Sequence, residues 1–162
     1  MRDWTHEART IGVVVDGMGW RDDLACALHP LRPSLFSQEP WPAWTGRSSD
    51  LRYLRWLGEA FAERPLLGLT CKPLLDEVGI NLRGAARLGE GLALVSTLGL
   101  STEAMSGVLI HEVAHALGMD HCELGACALE KRPWPLSPEG RPSALCPECK
   151  MKFERLCAEC TQ

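Results

Sequence analysis

HEVAHALGMDHC, running from His111 to Cys122, is the stretch from which the rest of the chain is read. His111 and His115 are four residues apart, so on a helix they stand one turn apart on the same face. Glu112 lies between them, where a carboxylate reaches whatever the two imidazoles hold. Gly118 stands where a helix usually stops, because glycine accepts the left-handed backbone conformation of a C-terminal cap. A chain turned back at Gly118 brings His121 to the same point as a third nitrogen ligand. Three histidines, one open tetrahedral position and an adjacent glutamate are the donor set of a catalytic zinc site, unlike a closed structural one. Three of the chain's five histidines fall within these eleven residues. A bare H-E-x-x-H arises by chance in many helices, but here the glycine and the third histidine are also correctly spaced.

Upstream, Ser101 is the natural N-cap of this helix, and Glu103 in its first turn complements the helix dipole. Leu109, Ile110, Val113, Ala114, Ala116 and Leu117 surround the histidines, which predicts a helix buried nearly all round. Leu92 to Thr97 (LALVST) and Leu66 to Thr70 (LLGLT) are predicted buried strands, as is the β-branched run Thr10 to Val15. Between them, Gly79 to Gly91 carries four glycines and is expected to be a loop or irregular hairpin. Ser48, Ser49 and Asp50 offer N-caps for a helix to about Arg64, with Leu51, Leu54, Leu57, Gly58 and Phe61 on one face. Trp20 to His29 reads as a short helix. Pro30, Pro33, Pro40 and Pro42 argue against regular helix in the stretch that follows, although Ser34 to Gln38 suits an edge strand. Trp41 and Trp44 are expected to cover the core.

Downstream the texture changes to cysteine, proline and charge. Cys122 and Cys127 form one short pair, and Cys146 and Cys149 (CPEC) form another. Two such pairs separated by a loop suit a closed, tetrahedral zinc site of four cysteines. Residues 128–145 include Pro133, Pro135, Pro138, Gly140 and Pro142 and show no periodic apolar pattern, so a metal staple is the expected means of ordering them. A second C-x-x-C, Cys157 and Cys160, competes with Cys146 and Cys149 for that role. Local sequence favours the earlier pair: Pro147 stiffens the turn between Cys146 and Cys149, whereas Met151 to Cys157 (MKFERLC) reads as the start of a short terminal helix. Cys26 and Cys71 lie in apolar contexts and read as ordinary buried cysteines.

The 162 residues suit one domain with a real core, residues 1–110 supplying sheet and helices and 111–162 the zinc-binding part. Apolar residues make up 46% and charged residues 23%, ordinary for a globular protein, and the net charge of −4 offers no basic surface for nucleic acid. The stretch from Met1 to Trp20 lacks the uninterrupted apolar core and small-residue cleavage site expected of a signal peptide, and no run approaches the ~20 apolar residues a membrane helix needs. These features predict a monomeric cytoplasmic protein that binds neither nucleic acid nor membrane. In that reducing compartment eight cysteines point to metal binding over disulfides.

With histidines and cysteines placed, the chain resembles the archaemetzincins, zinc-dependent metallopeptidases whose extended H-E-x-x-H-x-x-G-x-x-H helix is followed at once by cysteine. The resemblance rests on His111 through Cys122, CAL at Cys127 to Leu129, CPEC at Cys146 to Cys149, and the strand-like LLGLT and ALVST runs. It covers about residues 66–149. It implies an α/β, compact metzincin-like domain, with a twisted mixed sheet packed on a long active-site helix and a zinc-stapled C-terminal segment. It further implies two zinc ions, the catalytic one held by His111, His115 and His121 and the structural one by Cys122, Cys127, Cys146 and Cys149. Glu112 is then the general base. Where the family places the methionine of its Met-turn, this chain has Leu129, an apolar residue of similar volume. By the same resemblance, an extended peptide substrate is expected to pair with the strand Leu92, Ala93, Leu94, Val95 and Ser96.

The reaction expected is peptide hydrolysis by zinc-activated water, with Glu112 moving the proton. Nothing assigns a second electrophile for the oxyanion, since the one tyrosine, Tyr53, sits on a predicted packing helix. Two rivals from other classes remain: a catalytically silent zinc-binding scaffold, and a zinc-ribbon binding module. The ribbon needs a basic surface, and the basic residues of the C-terminal part are interspersed with acids.

Overall fold

The structure is a computed structural model that describes residues 11–16, 36–39, 59, 66–75, 81–131 and 142–159. Within these, seven strands and two helices follow in order: β1 (Ile11–Asp16), β2 (Phe36–Glu39), β3 (Leu66–Thr70), β4 (Leu74–Leu75), β5 (Asn81–Leu82), β6 (Gly84–Arg87), β7 (Leu92–Ser96), α1 (Thr102–Ala116) and α2 (Pro147–Glu159). The fold is α/β. The expected helices at Trp20–His29 and Ser48–Arg64 lie outside the described residues, apart from Glu59, as do Cys26, Trp41, Trp44, Tyr53 and Cys160.

Five strands form one mixed sheet in the order β2-β1-β3-β7-β6, and β4 and β5 make a separate two-stranded antiparallel ribbon. β2, β1, β3 and β7 are parallel, and only β6 runs against its neighbour. All five residues of β3 and of β7 are buried, as expected of parallel strands covered on both faces. Their unbroken apolar runs are therefore what the sheet centre requires.

α1 packs against β6 and β7. Val108, Leu109, Val113 and Ala114 of the helix join Leu67, Leu69, Ala93 and Val95 of the sheet in one core, which extends to Cys127, Leu129, Cys146 and Phe153. Burial runs without break from Met105 to Ala114, so α1 is a central element, not a surface one.

The reading of Gly79 to Gly91 needs one correction and brings another. The stretch contains β5 and the edge strand β6, which turns back into β7 through Leu88–Gly91, with Gly89 and Gly91 at φ 68° and 69°. Because β6 occupies one side of β7 and β3 the other, β7 has no free edge. Leu92, Ala93, Leu94, Val95 and Ser96 therefore cannot accept an added strand. Among the described residues, β6 is the end strand on that side of the sheet and β2 is the end strand on the other.

Candidate metal centre

Both ends of α1 are made by residues whose chemistry demands it. The Ser101 hydroxyl accepts the Ala104 N–H at 3.2 Å, closing the N-terminus. At the other end Gly118, at φ 93°, lets its own N–H reach the His115 carbonyl while the Met119 N–H reaches Ala114, at 2.9 Å each. This reverse turn is a Schellman motif. It swings the chain so that His121 faces the helix surface carrying His111 and His115.

The three imidazoles converge. One ring nitrogen of each lies within 4.8 Å of the others, and the ring centroids are 4.5 to 5.4 Å apart. His111 is buried, His115 half-buried and His121 exposed, so the cluster opens to solvent on the His121 side. The Nδ1 atoms of His111 and His115 are each 2.7 Å from a main-chain carbonyl, those of Ala128 and Met119. A carbonyl only accepts, so each Nδ1 carries the proton and each Nε2 presents a lone pair. Those two Nε2 atoms are 3.1 Å apart. Two lone pairs at that distance repel unless a cation lies between them. A tetrahedral zinc with nitrogens at 2.0–2.1 Å sets its ligands about 3.3 Å apart, so the histidines fit that ion. Burial holds the His115 pKa below its ordinary value, which disfavours a proton as the occupant.

Glu112 points from the same helix into the gap between α1 and β6. It is 5% exposed, and among the described residues no hydrogen bond or ion pair reaches its carboxylate. Burial alone pushes its pKa up to about 8. A buried carboxyl without a partner is costly, and such groups concentrate at functional sites. The room it occupies exists because Gly84 of β6 has no side chain. A β-carbon at Gly84 would lie 2.5 Å from Glu112 Cγ and 2.7 Å from Oε1.

A second cluster adjoins the first in sequence, Cys122 following His121 directly. Single sulfurs of Cys122, Cys127, Cys146 and Cys149 all lie within 4.8 Å of one another. Cys122 Sγ and Cys146 Sγ are 3.9 Å apart, close to the ~3.8 Å that tetrahedral zinc–sulfur bonds of 2.3 Å impose. No disulfide joins the described cysteines. The Leu124 N–H points at Cys122 Sγ and the Cys146 N–H at Cys127 Sγ, each at 3.4 Å. The Cys149 N–H holds the Cys146 thiol below its ordinary pKa, while burial pushes Cys122 and Cys149 up.

Pro147 does not stiffen a turn, as its sequence context implies. It opens α2, where a missing N–H costs nothing, so Cys146 precedes the helix and Cys149 lies in its first turn. Cys157, buried further along α2, is not among the four. Cys71 is exposed, because it follows the end of β3 where the chain leaves the sheet. Leu129 is fully buried, and its carbonyl accepts the Cys122 N–H at 2.8 Å.

Three contributors escape a reading of the sequence: Gly84, and the Ala128 and Met119 carbonyls. A glycine inside a strand is a recognised sign of close backbone approach, so Gly84 has a signal. The carbonyls have none, since every residue has one.

No family model and no curated protein sequence matches the chain. Solved structures do. The archaemetzincin of Archaeoglobus fulgidus, crystallised with malonate, superposes with a TM-score of 0.67 at 20% identity, over 88% of this chain and 99% of that one. The archaemetzincin of Methanopyrus kandleri gives 0.65 at 19% identity, over 94% and 98%. A zinc-dependent peptidase from Methanocorpusculum labreanum gives 0.65 at 15% identity, over 89% and 100%. Likeness over nearly the whole of both chains, in spite of such low identity, establishes that this chain has the archaemetzincin fold.

Proposed function

We propose that the chain is a zinc-dependent metallopeptidase. His111, His115 and His121 hold the catalytic ion, Glu112 is the general base, and Cys122, Cys127, Cys146 and Cys149 hold a second, structural zinc. The observation that carries this reading is the pair of facing Nε2 lone pairs 3.1 Å apart, beside a buried carboxylate that no hydrogen bond or ion pair reaches among the described residues. The neighbours of the same fold described as archaemetzincins or as a zinc-dependent peptidase support it.

When bound, zinc supplies a Lewis acid and a water acidic enough to ionise at a pH of about 7. The chain's own groups do the rest. The Ala128 and Met119 carbonyls hold two imidazoles in the ligating tautomer. Glu112 accepts a proton from water on its carboxylate and delivers it to the departing amine nitrogen. β6, at the sheet edge and directly over Glu112, pairs with the backbone of an extended peptide. Leu129 fills the apolar floor beside the Ala128 carbonyl. Among the described residues no helix is long and apolar enough to cross a membrane. The same reading makes all 162 residues one monomeric domain of the cytoplasm, whose reducing potential suits uncrosslinked cysteines in ligand geometry.

The test is digestion of a peptide library by wild type and by Glu112→Gln, with metal content measured for both. Gln keeps the shape and removes the base, so cleavage should disappear while zinc stays. Wild-type turnover by the variant would exclude Glu112 as base, and an inert wild type with zinc in place would make the chain a silent scaffold.

A further inference from the structure

The two ligand clusters are joined through main chain in two places. His121 and Cys122 are consecutive, one from each cluster. The second join is less direct. Ala128 follows Cys127, and its carbonyl is the 2.7 Å partner of His111 Nδ1.

That carbonyl belongs to no helix or strand. Residues 123–129 are turns and bends, flanked by one isolated bridge between Cys122 and Glu130. What holds the segment is a set of bonds centred on the cysteines. The Cys122 N–H reaches Leu129 O at 2.8 Å, the Glu130 N–H reaches Cys127 O at 2.9 Å, and the Ala128 N–H reaches Ala144 O at 2.8 Å. The Cys146 N–H reaches Cys127 Sγ at 3.4 Å. Each of these ties ends on a ligand cysteine, or on a residue within two of one. His115 is held differently. Its carbonyl partner, Met119, is fixed by the helix cap through the bond to Ala114 and owes nothing to the cysteines.

We propose that the cysteine cluster is the positioning device of the histidine cluster, so that the two sites bind metal cooperatively. The proposal rests on both clusters being metal sites. A cation among the four sulfurs draws Cys122, Cys127, Cys146 and Cys149 together and fixes the Ala128 carbonyl between them. That carbonyl then sets the ring plane and tautomer of His111. With the sulfurs unbridged, the carbonyl loses its fixed place and His111 its orientation, while His115 keeps both. Partners of this kind govern affinity at metal-bound histidines by 10- to 100-fold. Linkage is reciprocal, so filling the histidine site tightens the cysteine site by the same factor.

The test is titration of metal-free protein with cobalt(II), whose thiolate-bound and imidazole-bound forms absorb differently, in wild type, Cys149→Ser and His111→Ala. Cys122 and Cys149 are the two half-buried members, and Cys149 alone of these is not adjacent to His121, which makes it the milder one to remove. Cys149→Ser should lower cobalt affinity at the histidine site by about 10- to 100-fold. In His111→Ala the cysteine site should weaken by the same factor relative to wild type with both sites filled. The Nδ1–H proton resonance of His111 should vanish in Cys149→Ser while that of His115 persists, which general loosening of the fold would not produce. Unchanged histidine-site affinity with the cysteine site empty overturns the proposal. If Cys149→Ser does not fold, the His111→Ala arm decides alone, and unchanged cysteine-site affinity there overturns it equally. Independent binding at two real sites sinks the linkage only, whereas a wild type that takes up neither cobalt nor zinc sinks the metal reading itself.

Discussion

Replacing Gly84 by alanine tests how tightly the carboxylate of Glu112, the proposed base, is held. The added β-carbon would sit 2.5 Å from Glu112 Cγ, 2.7 Å from Oε1 and 2.8 Å from Cδ. Carbon atoms rest comfortably at about 3.5 Å, so the shortfall is about 1 Å. Glu112 must swing aside or β6 must lift. Lifting β6 strains its pairing with β7, where Gly84 stands opposite Val95, and Glu112 is enclosed on the helix side by buried neighbours. Either response moves the proposed base by about 1 Å, a misplacement that costs on the order of 100-fold in rate if Glu112 acts on a bound peptide. Overpacking should cost about 1–3 kcal/mol of stability, leaving the fold and the ligands in place. The assay is kcat and KM on a cleaved peptide, alongside zinc content and thermal melting. We expect kcat to fall about 100-fold with zinc retained. A second variant separates positioning from general damage: in Gly84→Ala with Glu112→Asp, the shorter acid leaves room for the methyl group. The double variant should lose less than the product of the two single losses. A kcat for Gly84→Ala within about threefold of wild type, against that ~100-fold expectation, would refute the reasoning.

Other outcomes follow from the same geometry. Glu112 has its folded pKa raised to about 8 by burial, against 4.5 ordinarily, so metal-free protein should lose stability as pH rises from about 4.5 toward 8. The loss is at most about 5 kcal/mol, and denaturant melts of Glu112→Gln should lack that slope. Gly118→Ala forces a side chain to φ 93° and should cost about 1–2 kcal/mol in thermal or denaturant unfolding. Serine at both Cys146 and Cys149 should release one zinc and loosen the segment after His121, whereas serine at Cys157 and Cys160 should leave metal content unchanged by elemental analysis. The reverse pattern would reassign the structural site.

Much of this is legible in the sequence because the informative side chains carry their signals locally. Ser101 and Gly118 mark the ends of α1, and the spacing of His111, His115 and His121 needs only a helix and a reverse turn to converge. The parallel strands β3 and β7 announce themselves as unbroken apolar runs. β6 does not: its residues Gly84, Ala85, Ala86 and Arg87 include three small ones, show no alternation, and have glycines close on the C-terminal side. Without β6 in view, β7 looks like the accepting edge, since neighbour order in a sheet depends on residues far apart in sequence. The cysteine cluster is readable from the pairing of its members, but not the fact that Cys149 lies inside a helix. Least visible are the two carbonyls on His111 and His115, supplied by backbone that no residue type specifies.

The turn between β6 and β7 has a consequence for how such a chain can diversify. Its Gly89 N–H reaches the His115 carbonyl at 3.0 Å, the Gly91 N–H reaches that of Ala116 at 2.9 Å, and Gly89 packs on Gly118. The turn that ends the edge strand is thereby anchored to the helix that carries the histidines by main-chain hydrogen bonds. If a peptide lies along β6, the spacing between its backbone and the reacting centre is a built-in ruler, indifferent to side-chain identity. Ala85 and Arg87 are then open to change, and cleavage preference can drift through them while the position of the cut stays put. The length of the turn is the part that cannot vary. One residue inserted after Leu88 should shift or abolish cleavage, as mass analysis of the products would reveal, where substitution at Ala85 should only alter which peptides are cut.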